Sequence, residues 1–163
     1  MSREDAIACA EAYFDSSAFK ADLARRVAIP TESQNPDRAA DLARYVEAEM
    51  RPALEAMGFA CRVLTNAKAK GPFLYAERIE GEGLPTVLGY GHGDTIRGLD
   101  NAWKDGLSPW TLTERDGRYY GRGTADNKGQ HTINLAAMAA VVAARGRLGF
   151  NAKWLIEMGE EVG

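Results

Sequence analysis

The chain has 163 residues, a length that suits one domain and is sufficient to bury a hydrophobic core. Its hydrophobic content of 45% and charged content of 26% are typical of a globular protein in water. The net charge of -3 offers no basic surface for nucleic acid, and no apolar run reaches the roughly 18 residues of a membrane-spanning helix. The sequence therefore predicts neither a nucleic-acid partner nor a membrane partner.

The N-terminus and the cysteines favour a cytoplasmic protein. The first residues are polar and lack the apolar core and cleavage site of a signal peptide. The two cysteines, Cys9 and Cys61, are far apart, and Cys9 lies in an apolar helical pattern. A buried free thiol is therefore favoured over a disulfide or a catalytic role for Cys9.

Three helices are predicted in the first third of the chain. The first covers residues 2–14 with Ser2 as its cap, and the second covers residues 18–27. The third begins at Asn35-Pro36, a strong start signal, and continues to Gly58. Because proline lacks an N–H group, Pro52 is expected to kink this third helix or to mark a join within it.

Short strands are predicted after this helix, in the segments FACRVLT, PFLYAERI and PTVLGYG. Residues 86–90 are mostly apolar and predict an interior strand buried on both faces. A long irregular segment, 94–109, follows, and Asp116-Gly117 predicts a hairpin turn between residues 110–114 and 118–120.

The last predicted elements complete an α/β pattern. The helix over residues 130–144 is apolar on almost every side, so we expect it to be buried against the sheet, and a final strand covers residues 151–158. Alternation of helices and strands predicts a layered helix–sheet–helix arrangement. The sequence stops at Gly163, just after this strand. Because natural domains seldom end on a central strand, we expect a fragment.

Three groups of polar residues are candidates for chemistry. His92 and Asp94 follow an apolar strand as His-Gly-Asp, a spacing that directs both side chains to one face. Asp94 can then orient the imidazole of His92 for a metal, as carboxylates commonly do. The alternative is a histidine that only stabilises a glycine turn.

The second group is the loop GRGTADNKG at residues 121–129. A phosphate-binding P-loop needs serine or threonine after Gly-Lys, and a dinucleotide fingerprint needs glycine where Asp126 stands, so both interpretations are weak. We hypothesise that Asp126 is the centre of a metal site on which the other candidate residues converge. A plain helix N-cap is the alternative role of Asp126.

The third group is Glu160-Glu161, after the last predicted strand. Adjacent carboxylates repel each other, so their burial without a cation would raise a pKa sharply. A metal would use one of them as a ligand and leave the other as a base, whereas solvated surface acids are the alternative. All three groups lie at the carboxyl ends of strands or in loops, where open α/β sheets bind ligands.

Four motifs in order, GHGD, the segment from Trp103 to Trp110, GRGTADNKG and GEEVG, carry a family resemblance. They are similar to those of the zinc-dependent acetylornithine deacetylase and succinyl-diaminopimelate desuccinylase family of metallopeptidases, which includes carnosine-type dipeptidases and aminoacylases. The resemblance implies a zinc-peptidase-like catalytic domain. Residues 1–163 would be its N-terminal portion only, without the lid or dimerisation domain and the C-terminal catalytic part.

The resemblance also implies a role for each candidate residue. Two zinc ions are implied, with cobalt or manganese as alternatives. His92 would bind one metal, Glu161 the other, and Asp126 would bridge both. Glu160 would be the general base, and Asp94 would orient His92.

The implied reaction is hydrolysis of the amide bond of an N-acyl amino acid or a dipeptide, in a protein that forms a homodimer through the lid. Residues 127–130, Asn-Lys-Gly-Gln, are more similar to the dipeptidase branch, and a cis peptide is implied after the bridging aspartate. Residues 95–98 lack the proline usual in the family, and Trp110 replaces a common phenylalanine.

The remaining metal ligands of the family lie outside the 163 residues. They are a further acid beyond the glutamate pair and a histidine near the C-terminus of the family's domain. His131, the second histidine of the chain, is a poor substitute. The alternative function is therefore a catalytically incomplete fragment, or a non-enzymatic α/β module that retains the scaffold.

Overall fold

The computed structural model describes residues 2–162, and its elements follow the predicted order. The helices are α1 (Arg3–Asp15), α2 (Ala18–Val27), α3 (Ala39–Tyr45), α4 (Arg51–Glu55) and α5 (Lys128–Arg145). The strands are β1 (Ala60–Leu64), β2 (Phe73–Arg78), β3 (Thr86–His92), β4 (Thr113–Arg115), β5 (Arg118–Tyr120) and β6 (Asn151–Glu157). Short 3-10 turns cover Pro36–Arg38, Asp100–Ala102 and Glu160–Val162, and a π-helical turn covers Val46–Met50.

Local sequence signals explain where the helices begin and end. The Asp5 N–H donates to Ser2 Oγ at 3.3 Å and the Ser2 N–H donates to the Asp5 carboxylate at 2.6 Å, which is a capping box. Gly146 ends α5 with φ of +70°, a conformation that favours glycine. Pro52 follows the π-helical turn that joins α3 to α4, so the predicted join is confirmed.

The sheet is mixed and has the strand order β1-β2-β6-β3. Strand β2 pairs antiparallel with β1 and β6, whereas β3 runs parallel to β6. The hairpin β4-β5 is separate, and its turn residues Asp116 and Gly117 have φ of +53° and +69°. Positive φ at both central residues is required by a type I′ turn, so the predicted hairpin is confirmed with a shorter first strand.

The core lies between the sheet and helices α3, α4 and α5. Its most buried members come from both layers: Tyr45, Val46, Met50, Leu54, Leu74, Ala76 and Ile156, each 0% exposed. Helices α1 and α2 pack on the other side of α5. The α/β layered class is therefore confirmed. Within the described residues, Cys9 and Cys61 are free and half-buried, and no helix is long and apolar enough to cross a membrane.

Two burial predictions were wrong. Strand β3 lies at the edge of the described sheet, and Val87, Leu88 and Tyr90 are 50%, 66% and 50% exposed. Because β6 is its one neighbour among residues 2–162, one edge and part of one face of β3 stay open. Helix α5 buries only the sides that pack on the core and on α1 and α2, and Ile133 is 58% exposed. The apolar composition of β3 and α5 did not indicate which of their surfaces another element covers.

Gly89 tests the packing of the sheet on the helices. A Cβ atom at this position would lie 2.6 Å from Trp154 Cζ2. We expect Gly89→Ala to lower the free energy of unfolding by about 1–3 kcal/mol, because the Trp154 ring has to move within a packed core. Denaturant unfolding measures the change.

Gly81→Ala is the matched control, since a Cβ there would meet only the Leu84 side chain at 3.4 Å, an ordinary contact. Its effect should stay within about 1 kcal/mol in either direction. Equal losses for the two variants would contradict the packing of Trp154 across Gly89.

Candidate metal centre

The candidate residues lie where β3 and β6 end side by side. The parallel register pairs His92 with Glu157, so the chain segments that follow both strands enter the same region. His92 and Asp94 come from the end of β3 and are 4% and 0% exposed. Glu160 and Glu161 lie on the 3-10 turn after β6. The fifth residue, Asp126, comes from the loop that precedes α5.

The imidazole of His92 has carboxylates on both sides. Its Nδ1 atom lies 3.3 Å from Asp94 Oδ1 and 3.2 Å from the backbone oxygen of Asp94. Its Nε2 atom lies 3.0 Å from Asp126 Oδ1 and 3.9 Å from Glu160 Oε2. A carboxylate at Nδ1 favours the proton on that nitrogen, which leaves Nε2 available as a metal ligand.

The buried carboxylate of Asp94 also fixes the glutamate turn. Its Oδ1 accepts the Glu160 N–H at 3.2 Å, and its Oδ2 accepts the Glu161 N–H at 3.1 Å. Burial by itself raises the pKa of Asp94, but the hydrogen bonds from His92 and from the Glu161 N–H, with the charge of His92, lower it overall. The contact between Asp94 and His92 was predicted from the sequence, whereas these two backbone bonds were not.

The carboxylates around His92 are crowded. One ligand atom from each of His92, Glu160 and Glu161 lies within 4.8 Å of the others. Burial, followed by the negative charge of Asp126, raises the pKa of Glu161. A cation at this position would relieve that repulsion. One imidazole nitrogen with several carboxylate oxygens is a donor set that suits zinc, and also cobalt or manganese.

The site is open to solvent rather than enclosed. The side chains of Asp126 and Glu160 are 70% and 50% exposed. Two clefts of about 520 and 580 Å³ lie among the helices, and none of the five candidate residues lines either of them. The second cleft is lined in part by Thr124, Ala125 and Gly129, so it borders the loop that carries Asp126.

The loop of residues 121–129 folds back on the first turn of α5. The Gly129 N–H donates to the Gly123 oxygen at 3.1 Å, and a Cβ on Gly129 would collide with the backbone oxygen of Thr124. Gly123 has φ of +85°, and a Cβ there would lie 3.0 Å from Lys128 Cδ. The glycine content of the loop is therefore explained by this tight turn. The peptide between Asp126 and Asn127 is cis, as the resemblance implied.

Asp126 does not act as a helix cap. Asn127 occupies the N-cap position of α5, and its side chain makes no capping hydrogen bond. The carboxylate of Asp126 contacts His92 instead. The capping alternative therefore does not describe this residue.

His131 lies in the core, in agreement with its prediction as a poor ligand. It is 0% exposed, its Nε2 lies 2.6 Å from the Tyr45 hydroxyl, and its Nδ1 lies 3.2 Å from Asn127 Oδ1. Burial lowers its pKa to about 3.

Two residues near the site were missed from the sequence. Lys128 is fully buried and donates hydrogen bonds to one backbone oxygen in the last turn of α2 and to one just after it. Burial lowers its pKa to about 7. Glu32 accepts the Gly98 N–H at 2.6 Å and so shapes the loop that lacks the usual proline. The position of Lys128 in the first turn of an apolar helix could have indicated that it is buried. No feature of the sequence around Glu32 indicated its contact with Gly98.

The two histidines should titrate far apart in the metal-free protein. Burial by itself lowers the pKa of His92, but the carboxylates of Asp94 and Asp126 raise it to about 9. His131 should stay neutral down to about pH 3. Imidazole nitrogen chemical shifts measured by NMR across pH would follow both residues.

Asp94→Asn should move the pKa of His92 back toward 6.5 and leave His131 neutral. His131 is the internal reference, because it has no contact with Asp94 in the described hydrogen bonds. A His92 that titrates near 6.5 in the unsubstituted protein would contradict the contacts described above.

Comparison with known proteins shows which family the second half of the chain is similar to. The profile of peptidase family M20/M25/M40 matches residues 88–163. Beta-Ala-His dipeptidase of Mus musculus is 40% identical over 93 residues, which are 56% of this chain and 18% of that protein. Acetylornithine deacetylase of Pasteurella multocida is also 40% identical over 93 residues, 56% of this chain and 23% of the relative.

The structural comparison covers more of the chain. The crystal structure of human carnosine dipeptidase 1 superposes with a TM-score of 0.86 and 30% identity, over 98% of this chain and 35% of the dipeptidase chain. The chain thus spans about a fifth to a third of the length of these relatives. Residues 88–163 thus match the model of peptidase family M20/M25/M40, and nearly the whole chain is similar in fold to human carnosine dipeptidase 1.

Proposed function

We propose that the protein is a metal-dependent hydrolase that cleaves the amide bond of a dipeptide or an N-acyl amino acid. The observation that carries this proposal is the convergence of His92, Asp126 and the Glu160-Glu161 pair at the ends of β3 and β6. The match of residues 88–163 to peptidase family M20/M25/M40 supports it, as do relatives named as dipeptidases and a deacetylase. Because the chain spans 35% of the dipeptidase structure, we propose that residues 1–163 form the N-terminal portion of the catalytic domain.

We propose that two zinc ions bind here, with cobalt or manganese as alternatives. His92 would bind one ion through Nε2, because its Nδ1 faces Asp94. Glu161 would bind the other ion, and Asp126 would bridge the two. Bound zinc supplies a Lewis acid that polarises the scissile carbonyl and lowers the pKa of water.

Glu160 is the proposed general base. Its side chain is half exposed, so it can reach water and substrate, and its Oε2 lies 3.9 Å from His92 Nε2. Its backbone N–H donates a hydrogen bond to Asp94 Oδ1, which fixes the backbone position from which the side chain extends. Glu160 takes a proton from the attacking water and delivers it to the leaving amine, which yields a carboxylate and an amine.

The substrate is proposed by class only. The sequence Asn-Lys-Gly-Gln at residues 127–130 favours a dipeptide, while the mouse dipeptidase and the bacterial deacetylase are equally similar to this chain at 40% identity. A cytoplasmic location and a homodimer formed through a lid domain complete the proposal. The alternative, for residues 1–163 alone, is a catalytically incomplete fragment or a non-enzymatic module.

Replacement of the base tests the proposed chemistry. The purified protein is assayed with a dipeptide such as β-alanyl-histidine and with an N-acetyl amino acid. In this assay, Glu160→Gln should lower kcat by about 10²–10⁴-fold. Bound zinc, measured by elemental analysis, should remain unchanged. The loss follows because an amide cannot accept the proton from water.

Glu161→Gln is the matched control, since it replaces the neighbouring carboxylate on the same turn. It should lose zinc and activity together. Undiminished turnover by the Glu160→Gln variant would rule out Glu160 as the base. Zinc retention by both variants would rule out the division of roles within the pair.

A further inference from the structure

We propose that Lys128 is a positioning residue that sets the distance between Asp126 and His92, by joining both of their loops to one shared segment. The segment comprises residues 26–33, from the end of α2 to the start of the following loop. The inference rests on the proposed function, because it concerns the placement of two proposed metal ligands.

The amino group of Lys128 is fixed by the end of α2. Its Nζ donates to the backbone oxygen of Arg26 at 3.0 Å and to that of Ile29 at 2.7 Å. Carbonyl groups at a helix C-terminus have no partner within the helix and carry partial negative charge, so a buried amino group stabilises them. The rings of Tyr45 and Trp110 lie 5.1 and 5.7 Å from Nζ. The side chain therefore has one defined position.

The other end of the Lys128 side chain fixes the loop of Asp126. Lys128 is the second residue after Asp126, and its methylene groups lie directly beneath Gly123. The carboxylate of Asp126 is 70% exposed and contacts His92 across the site. With so little packing around the side chain, the position of this carboxylate depends on where its backbone is held.

The shared segment also supports the loop of His92. The Thr31 hydroxyl donates to the Gly93 oxygen at 2.6 Å, and the Thr95 N–H donates to the Thr31 oxygen at 2.8 Å. The Ser33 N–H donates to the Thr95 oxygen at 3.3 Å. Residues 26–33 thus bind Lys128 on one side and residues 93–95 on the other. Through this segment, Lys128 connects two ligand loops that are distant in sequence.

Lys128→Met tests the connection. Methionine keeps an unbranched apolar side chain but cannot donate, so the hydrogen bonds from Nζ to the Arg26 and Ile29 oxygens are lost. We expect the affinity for zinc, measured by competition with a chromophoric chelator, to fall about 10- to 100-fold. The visible absorption of bound Co²⁺ should also change, because the ligand geometry changes. A residue that only stabilises the fold would alter neither measurement in the folded protein.

Tyr45→Phe is the matched control. It removes the 2.6 Å hydrogen bond between Tyr45 and His131, in the same buried region, but keeps the ring beside Lys128. This variant should lose stability and keep the zinc affinity and the Co²⁺ spectrum. Unchanged affinity and spectrum in Lys128→Met would overturn the inference. Failure of the unsubstituted protein to bind zinc would overturn the proposed function instead.

Amide hydrogen exchange tests the same connection without a substitution. In the unsubstituted protein, zinc should slow exchange at Gly129 and Thr95, next to the ligands, and also at Thr31, whose N–H donates to the Ile29 oxygen at 2.9 Å. Protection at Gly129 and Thr95 with none at Thr31 would show that the segment is not coupled to the site. In the metal-free protein, Lys128→Met should speed amide exchange at both Gly129 and Thr95. If the exchange rates of both amides stay unchanged, the inference is overturned.

Discussion

The fully buried carboxylate of Asp94 connects the fold to the candidate metal centre. A buried charge is costly unless several donors satisfy it, and Asp94 receives contacts from the His92 imidazole and from the N–H groups of Glu160 and Glu161. These donors come from the ends of two parallel strands that are distant in sequence. The sheet must therefore bring β3 and β6 together before this carboxylate can be buried. In return, Asp94 fixes the imidazole and the glutamate turn relative to each other.

The remaining ligand loop is held differently. Asp126 lies in a tight turn that depends on Gly123 and Gly129, and its carboxylate is mostly in solvent. The loop is held through Lys128, whose amino group donates hydrogen bonds to the backbone oxygens of Arg26 and Ile29. The site thus combines two strand ends that Asp94 joins by hydrogen bonds with one loop whose placement depends on a side chain outside the donor set. Placement of ligands by supporting hydrogen bonds is a general requirement of metal sites.

Local chemistry made much of this molecule predictable. Two helix starts and one hairpin turn were specified by residues that are close in sequence. These are Ser2 with Asp5, Asn35 with Pro36, and Asp116 with Gly117. The order of four motifs indicated the family resemblance that residues 88–163 show, and it pointed to the five candidate residues, whose roles as ligands and base stay predictions.

The features that could not be predicted from the sequence all depend on contacts between residues that are distant along the chain. The apolar residues of β3 suggested burial on both faces, but which strand pairs with it is decided by the whole sheet. Nothing near Glu32 indicated that it would accept the Gly98 N–H. The two backbone bonds from the glutamate turn to Asp94 likewise join residues that are more than sixty positions apart.

The central claim is that His92 is the imidazole ligand of a zinc site with carboxylate partners, and X-ray absorption at the zinc edge tests it most directly. The chain has two histidines, and His131 is buried beside Tyr45, so His92 is the available imidazole. Zinc added to the protein should show nitrogen and oxygen ligands at about 2.0–2.2 Å together with the outer scattering of an imidazole ring. The His92→Asn variant should lose the imidazole signal and most of the bound zinc. Zinc that binds equally well to this variant, with an unchanged spectrum, would contradict the assignment of the site.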